Sequence, residues 1–241
     1  MSTDIRGGVE LPARREDIEL RTSDGLTLVG ELALPATREP VATIVALHPL
    51  PTHGGFMDSH ILRKAAARLP ALADIAVLRF NFRGVTSPRG VSEGEFGHGV
   101  DEQHDLAAAM ELVGQRSLPH PWVVGWSFGT EVALKFGLRH TLDGMILLSP
   151  PLHRTSDAEV AAWNGSATRV VALIPELDDY LRPAEAAERF AAAPDIELVN
   201  VEGGKHLWVG ESQTYRVLSE IVQRLNPAAL PLPTTWDGPA A

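Results

Sequence analysis

The stretch Trp122-Val-Val-Gly-Trp-Ser-Phe-Gly-Thr-Glu-Val-Ala-Leu-Lys-Phe136 changes its apolar period in the middle. Up to Val124 it reads as a buried strand, and from Val132 the apolar residues Val132, Ala133 and Phe136 follow helical spacing. Between the two lies Gly125-Trp-Ser127-Phe-Gly129, a Gly-x-Ser-x-Gly pattern at a sharp strand-to-helix turn. In such a turn the central serine sits on a strained backbone with its hydroxyl exposed, and glycines are needed where neighbouring backbone passes close. The pattern occurs again at Gly90-Val-Ser92-Glu-Gly94, where no strand precedes and no helix directly follows. Ser127 is therefore the candidate nucleophile and Ser92 a loop serine.

Outward from this turn, short runs rich in Val, Ile and Leu alternate with amphipathic helices. The runs are Asp17–Arg21, Leu26–Leu34, Val41–Leu47, Ile75–Phe80, Trp122–Val124, Met145–Leu148, Arg169–Ile174 and Ile196–Val201. Ser23-Asp24-Gly25 joins the first two as a hairpin. Near-continuous apolar runs suit strands buried on both faces. Helical stripes appear at Ile61, Leu62, Ala65, Ala66 and Leu69 after an Asp58/Ser59 cap, at Leu106, Ala109, Met110 and Val113, and at Leu218, Ile221, Val222 and Leu225. Strand and helix in repeated order predict a mostly parallel eight-stranded sheet with helices on both faces, after an antiparallel start. Residues 1–16 and the proline-rich 226–241 read as flexible ends of a single 17–225 domain.

Composition narrows the function. The 241 residues are 44% apolar, enough for one domain with a full core. Lys and Arg number 21 against 31 Asp and Glu, a net charge of −10, which disfavours nucleic-acid and anionic-membrane partners. With no Cys there is neither a disulfide nor a thiolate nucleophile. The first residues lack the apolar core of a signal peptide, and no run reaches the ~18 residues of a membrane span; a cytoplasmic protein is expected.

A serine needs a base, and the base needs an acid to hold its tautomer. Of nine histidines, His206 in Glu202-Gly-Gly-Lys-His-Leu-Trp208 follows the last strand at the carboxyl edge of the sheet, where open α/β sheets build their sites. His48 ends the third run at the same edge and belongs to the loop beside the nucleophile. The segment Leu173-Ile-Pro-Glu-Leu-Asp-Asp-Tyr-Leu-Arg-Pro183 follows the seventh run and offers Glu176, Asp178 and Asp179 as the acid. His98 and His104, six residues apart, do not share a helical face, and acids such as Asp101 and Asp105 are ordinary in a helix's first turn, so this cluster is not read as a metal site. Arg79 and Arg83 are read as ion-pair partners flanking a strand end, not as ligands of a substrate anion.

These segments together resemble the small, lid-poor group of bacterial α/β-hydrolases. The likeness rests on His48-Pro-Leu-Pro-Thr-His-Gly-Gly55, Leu78-Arg-Phe-Asn-Phe-Arg-Gly84, Gly125-Trp-Ser-Phe-Gly129, the acidic loop after strand seven and the late Gly-x-His, over residues 17 to 225. It implies an α/β-hydrolase fold and the chain order Ser, acid, His. In that family the acid loop reads His-Gly-x-x-Asp-x-x-Val-Pro; setting Pro183 on its final proline selects Asp179. The resemblance also implies an oxyanion hole from the backbone N–H groups of Phe128 and Leu50, since Pro49 and Pro51 have none. The segment between strands six and seven, 150 to about 167, is too short for a lid domain. An open pocket rimmed by Phe56, Trp126, Phe128, Tyr180 and Trp208 is expected. The implied activity is that of a serine carboxylesterase acting on small or medium acyl esters with no cofactor and no metal. A thioesterase, peptidase or acyltransferase would use the same residues, and a non-catalytic ligand-binding protein would not need them aligned.

Overall fold

The computed structural model describes residues 2–239. Eight strands form one sheet: β1 Ala13–Arg21, β2 Thr27–Pro35, β3 Ala42–Leu47, β4 Ile75–Phe80, β5 Pro121–Trp126, β6 Gly144–Leu148, β7 Arg169–Pro175 and β8 Glu197–Val201. Their spatial order is β8-β7-β6-β5-β3-β4-β2-β1. From β3 onward every pairing is parallel, while β2 runs antiparallel to both β1 and β4. The eight-stranded, mostly parallel sheet with an antiparallel start is thus present as the alternating pattern indicated.

Helices cover both faces because the strands are apolar on both. On one face α1 His60–Ala73 and α6 Glu211–Leu225 bury Ile61, Leu62, Leu69, Val217, Leu218 and Ile221 against β3, β5 and β6. On the other, α2 Glu102–Gln115 and α3 Phe128–Phe136 bury Leu106, Ala109, Val132 and Ala133, joined by the short α4 Asp157–Ala161 and α5 Pro183–Arg189. Burying a Leu, Ile or Val side chain contributes about 1.5–3 kcal/mol, so these two layers carry the fold. Helix α1 begins without the expected side-chain cap. The Ser59 hydroxyl instead accepts from the Phe56 N–H at 3.2 Å, and Asp58 pairs with Arg79 and Arg89.

Among the described residues, parts of 1–16 and 226–241, expected from the sequence to be flexible ends, pair and pack against the domain. Residues 13–16 belong to β1, Thr3–Asp4 pairs antiparallel with Thr235–Trp236, and Leu11 and Leu232 are buried. Proline content obscured this because a two-residue ribbon needs no helical or alternating period. Met1, Ala240 and Ala241 lie outside the described residues.

Candidate active site

The tips of β3, β5, β6 and β7 and the loop after β8 converge at one edge of the sheet. At the end of β5 the chain turns sharply into α3, and Ser127 takes φ 52° and ψ −117°. This backbone costs about 1–3 kcal/mol and persists because its surroundings over-determine it. The Ser127 N–H donates to Leu148 O at 2.9 Å, and Ser127 O accepts from both the N–H and the hydroxyl of Thr130. The flanking glycines are required by close approach. A Cβ on Gly125 would lie 2.6 Å from Gly129 O, and one on Gly129 would lie 2.2 Å from Leu47 O.

His206 presents its ring to this serine, with Nε2 2.9 Å from Ser127 Oγ. Its Nδ1 lies 3.0 and 3.1 Å from the two carboxylate oxygens of Asp178. An ionised carboxylate can only accept, so Nδ1 carries the proton, Nε2 is left as acceptor, and the Ser127 hydroxyl donates to it. The backbone of His206 is fixed as well: its carbonyl accepts from Trp126 Nε1 and Ser149 Oγ, both at 3.1 Å. His206 is 6% exposed and Asp178 2%.

The acid facing His206 is Asp178, not Asp179, and the expectation drawn from the proline is corrected. The Asp178 N–H donates to Pro175 O, and its Oδ1 accepts from the N–H groups of Tyr180 at 2.8 Å and Leu181 at 3.4 Å. This side-chain-closed turn points Asp178 inward and leaves Asp179 exposed. The loop therefore holds one residue more between its acid and Pro183, the first residue of α5, than the family pattern does. Glu176, the third candidate, is exposed and accepts from the Gly203 N–H at 2.7 Å.

Leu50 and Phe128 border the same pocket as Ser127 and His206. Among the described residues neither backbone N–H has a protein acceptor. The Leu50 loop is held by His48, whose Nε2 accepts from the Phe82 N–H at 3.0 Å, so that Nδ1 donates to Pro49 O at 2.6 Å. Full burial pushes His48 down to about 4, and its ring stays neutral.

The pocket measures 280 Å³, just under the ~300–1,000 Å³ usual for drug-sized ligands. Of the aromatic residues expected at its rim, Tyr180 and Phe128 line it. The Tyr180 ring stands edge-on to His206, with centroids 4.6 Å apart. Trp126 and Trp208 do not: both are buried in the core, Trp126 as the donor to His206 O. Phe56 lines a neighbouring 420 Å³ hollow with Phe96, Pro51 and Thr86. His53, His153, Glu131 and Arg154, which sequence reasoning did not single out, also line the wall. Helical position gave no warning for Glu131, since an acid in a helix's first turn is ordinary.

The other candidates are structural. Ser92 is buried, donating to Asn81 O at 2.9 Å and accepting from the Val29 N–H at 3.1 Å. Arg79 pairs with Glu31 at 2.6 Å and with Asp58, and Arg83 pairs with Asp105 at 2.8 Å and Asp24 at 2.9 Å. His104 meets Ser23 at 2.9 Å. No described helix is long and apolar enough to cross a membrane.

Comparison with known proteins agrees with this architecture. No family model matches the chain. An uncharacterised protein of Rickettsia prowazekii is 33% identical over 119 residues, which is 47% of this chain and 46% of that protein, so the likeness spans about half of each. Among solved structures, a serine hydrolase without a lid from Xanthomonas campestris superposes with a TM-score of 0.72 at 26% identity, covering 93% of this chain and 99% of that one. A serine hydrolase homologue from Coxiella burnetii gives a TM-score of 0.74 at 24% identity, covering 87% and 97%. An esterase from Pyrococcus furiosus gives 0.73 at 18%, covering 92% and 98%. The strand order, the elbow at Ser127 and these likenesses make the chain a small α/β-hydrolase-fold protein, similar among others to a serine hydrolase without a lid.

Proposed function

We propose that the protein is a serine hydrolase that cleaves carboxylic esters through an acyl-enzyme. The observation that carries the reading is the continuous hydrogen-bonded chain from Asp178 through His206 to Ser127. A binding protein has no need of a serine held at a strained elbow with its hydroxyl aimed at a base.

In this reading Ser127 Oγ bonds to the ester carbonyl carbon while its proton passes to His206 Nε2. The N–H groups of Leu50 and Phe128 receive the charge that develops on the carbonyl oxygen. The carbon–oxygen bond to the alcohol breaks, and His206 returns the proton to that leaving oxygen. Water, deprotonated by His206 in turn, then releases the acid and restores Ser127. Asp178 holds the Nδ1 tautomer throughout and offsets the positive charge that the imidazole acquires. The 280 Å³ pocket suits short acyl or alcohol groups.

Labelling with a fluorophosphonate, located by peptide mass spectrometry, tests the reading together with p-nitrophenyl acetate turnover. The label is expected on Ser127, with both signals lost in Ser127→Ala and retained in Ser92→Ala. A folded wild-type protein that neither labels nor turns over the ester overturns the proposal.

A further inference from the structure

Arg154 and the buried Glu131 stand on the wall of the same pocket as Ser127. The Arg154 N–H donates to Glu131 Oε1, which ties the loop after β6 to the first turn of α3. Arg154 Nη1 lies 3.5 Å from Glu131 Oε2, beyond a good hydrogen bond, and that buried oxygen has no other partner. The guanidinium lies over the faces of Phe128 and Phe96, 5.7 and 6.0 Å from their centroids. Two aromatic faces and one carboxylate thus fix where this cation sits, while among the described residues none of its N–H groups has a hydrogen-bond acceptor.

Exposure separates the two charges. The Arg154 side chain is 32% exposed and that of Glu131 0%. An approaching substrate therefore meets the cation, with the anion behind it. On a chain of net charge −10 this is an exception, because the overall field repels anions. A guanidinium is always charged and presents a planar fork matched to a carboxylate.

We infer that Arg154 is a specificity-determining residue that receives a carboxylate on the substrate, so that the preferred esters are short and carry a negative charge near the scissile bond. This inference rests on the serine-hydrolase reading. Glu131 is a positioning residue in it: rotation of Arg154 toward Oε2 completes one hydrogen bond and leaves the remaining donors for the ligand. The small pocket keeps the anion within a few bonds of the carbonyl, in either the acyl or the alcohol half.

Matched esters test it and separate the two halves. The p-nitrophenyl monoester of glutaric acid against p-nitrophenyl butyrate places the charge on the acyl side, after correction for spontaneous hydrolysis. Then 4-acetoxybenzoate against phenyl acetate places it on the alcohol side. In wild type at least one anionic ester is expected to exceed its neutral partner in kcat/KM. Arg154→Gln should lower kcat/KM for that ester about tenfold or more, chiefly through KM, and change the neutral ester by less than about threefold; Arg154→Lys should restore part of the loss. Equal losses for charged and neutral esters, or no preference in wild type, overturn the inference while leaving the hydrolase reading intact. Glutarate binding by calorimetry, lost in Arg154→Gln, supports the anion site even if no ester is cleaved, in which case only the hydrolase reading fails. Absence of both binding and discrimination removes the site.

Discussion

Asp178 Oδ2 lies 3.0 Å from His206 Nδ1, while Asp179, the next residue along, projects into solvent. One carboxylate closes a turn with the N–H groups of Tyr180 and Leu181 and meets the imidazole from inside; its neighbour does neither. If this pair orients the base, the two aspartates differ sharply in consequence. Asp178→Asn should reduce turnover by on the order of 10⁴, as loss of the orienting acid does in known triads. Asp179→Asn should cost less than about threefold, because an exposed charge acts only through screened electrostatics. Steady-state kinetics with p-nitrophenyl acetate on both variants, with melting curves as a check on folding, decide the matter. The reverse ranking would reject the assignment.

His48 makes stability depend on pH. Its native value of about 4 lies below the ordinary ~6.5, so between these values the unfolded chain binds the extra proton and the native one does not. The contribution is fully present above ~6.5 and is lost as pH falls toward 4, amounting to about 3 kcal/mol over the window. His48→Leu should flatten this part of the curve. It should also lower stability at pH 7 by about 1–3 kcal/mol, because the Phe82 N–H loses its acceptor. Urea unfolding of both proteins between about pH 4.5 and 7.5, which spans most of the fall between the two values, measures the difference. Parallel curves would contradict it.

Gly129 and Gly114 should respond oppositely to alanine. A Cβ on Gly129 would press on the Leu47 carbonyl at 2.2 Å and push the start of α3, with the Phe128 N–H, away from the Leu50 loop. Gly129→Ala is expected to cost roughly 3 kcal/mol or more and to remove activity. Nothing lies within 4 Å of a Cβ on Gly114, near the end of α2. Gly114→Ala should raise stability by about 0.5–1 kcal/mol, with activity unchanged. Thermal melts and turnover read both; a well-folded, active Gly129→Ala would refute the packing argument.

Trp126 and Ser149 hold the carbonyl of His206 from the ends of β5 and β6. Removing both donors with Trp126→Phe and Ser149→Ala should loosen the imidazole's placement. Each hydrogen bond is worth about 0.5–1.5 kcal/mol, so a drop in kcat of roughly tenfold is expected for the double variant, with KM little changed. A change confined to KM would show that these side chains affect substrate binding instead.

Much of the architecture is legible in the amino-acid order because it rests on local periodicity. The runs at Val41–Leu47, Ile75–Phe80 and Arg169–Ile174 are apolar on both faces, as strands of a sheet covered on both sides are, and β3, β4 and β7 form there. The change of period across Gly125-Trp-Ser-Phe-Gly129 located the elbow and chose Ser127 over Ser92, and the position of His206 after the last strand placed it at the same edge. What the sequence could not resolve is direction at the scale of one residue. Asp178 and Asp179 are chemically identical neighbours, and the hydrogen bonds from Tyr180 and Leu181 select between them only after the loop has folded. Trp126 and Trp208 look like rim aromatics in sequence but are core residues, since the side of the sheet on which a loop-end side chain packs is set by α1 and α6. The Glu131–Arg154 pair joins residues 23 apart on different elements, and no spacing rule connects them. Periodicity determined the layers because burial repeats along the chain; tertiary structure decided the site because its contacts depend on where separate loops meet.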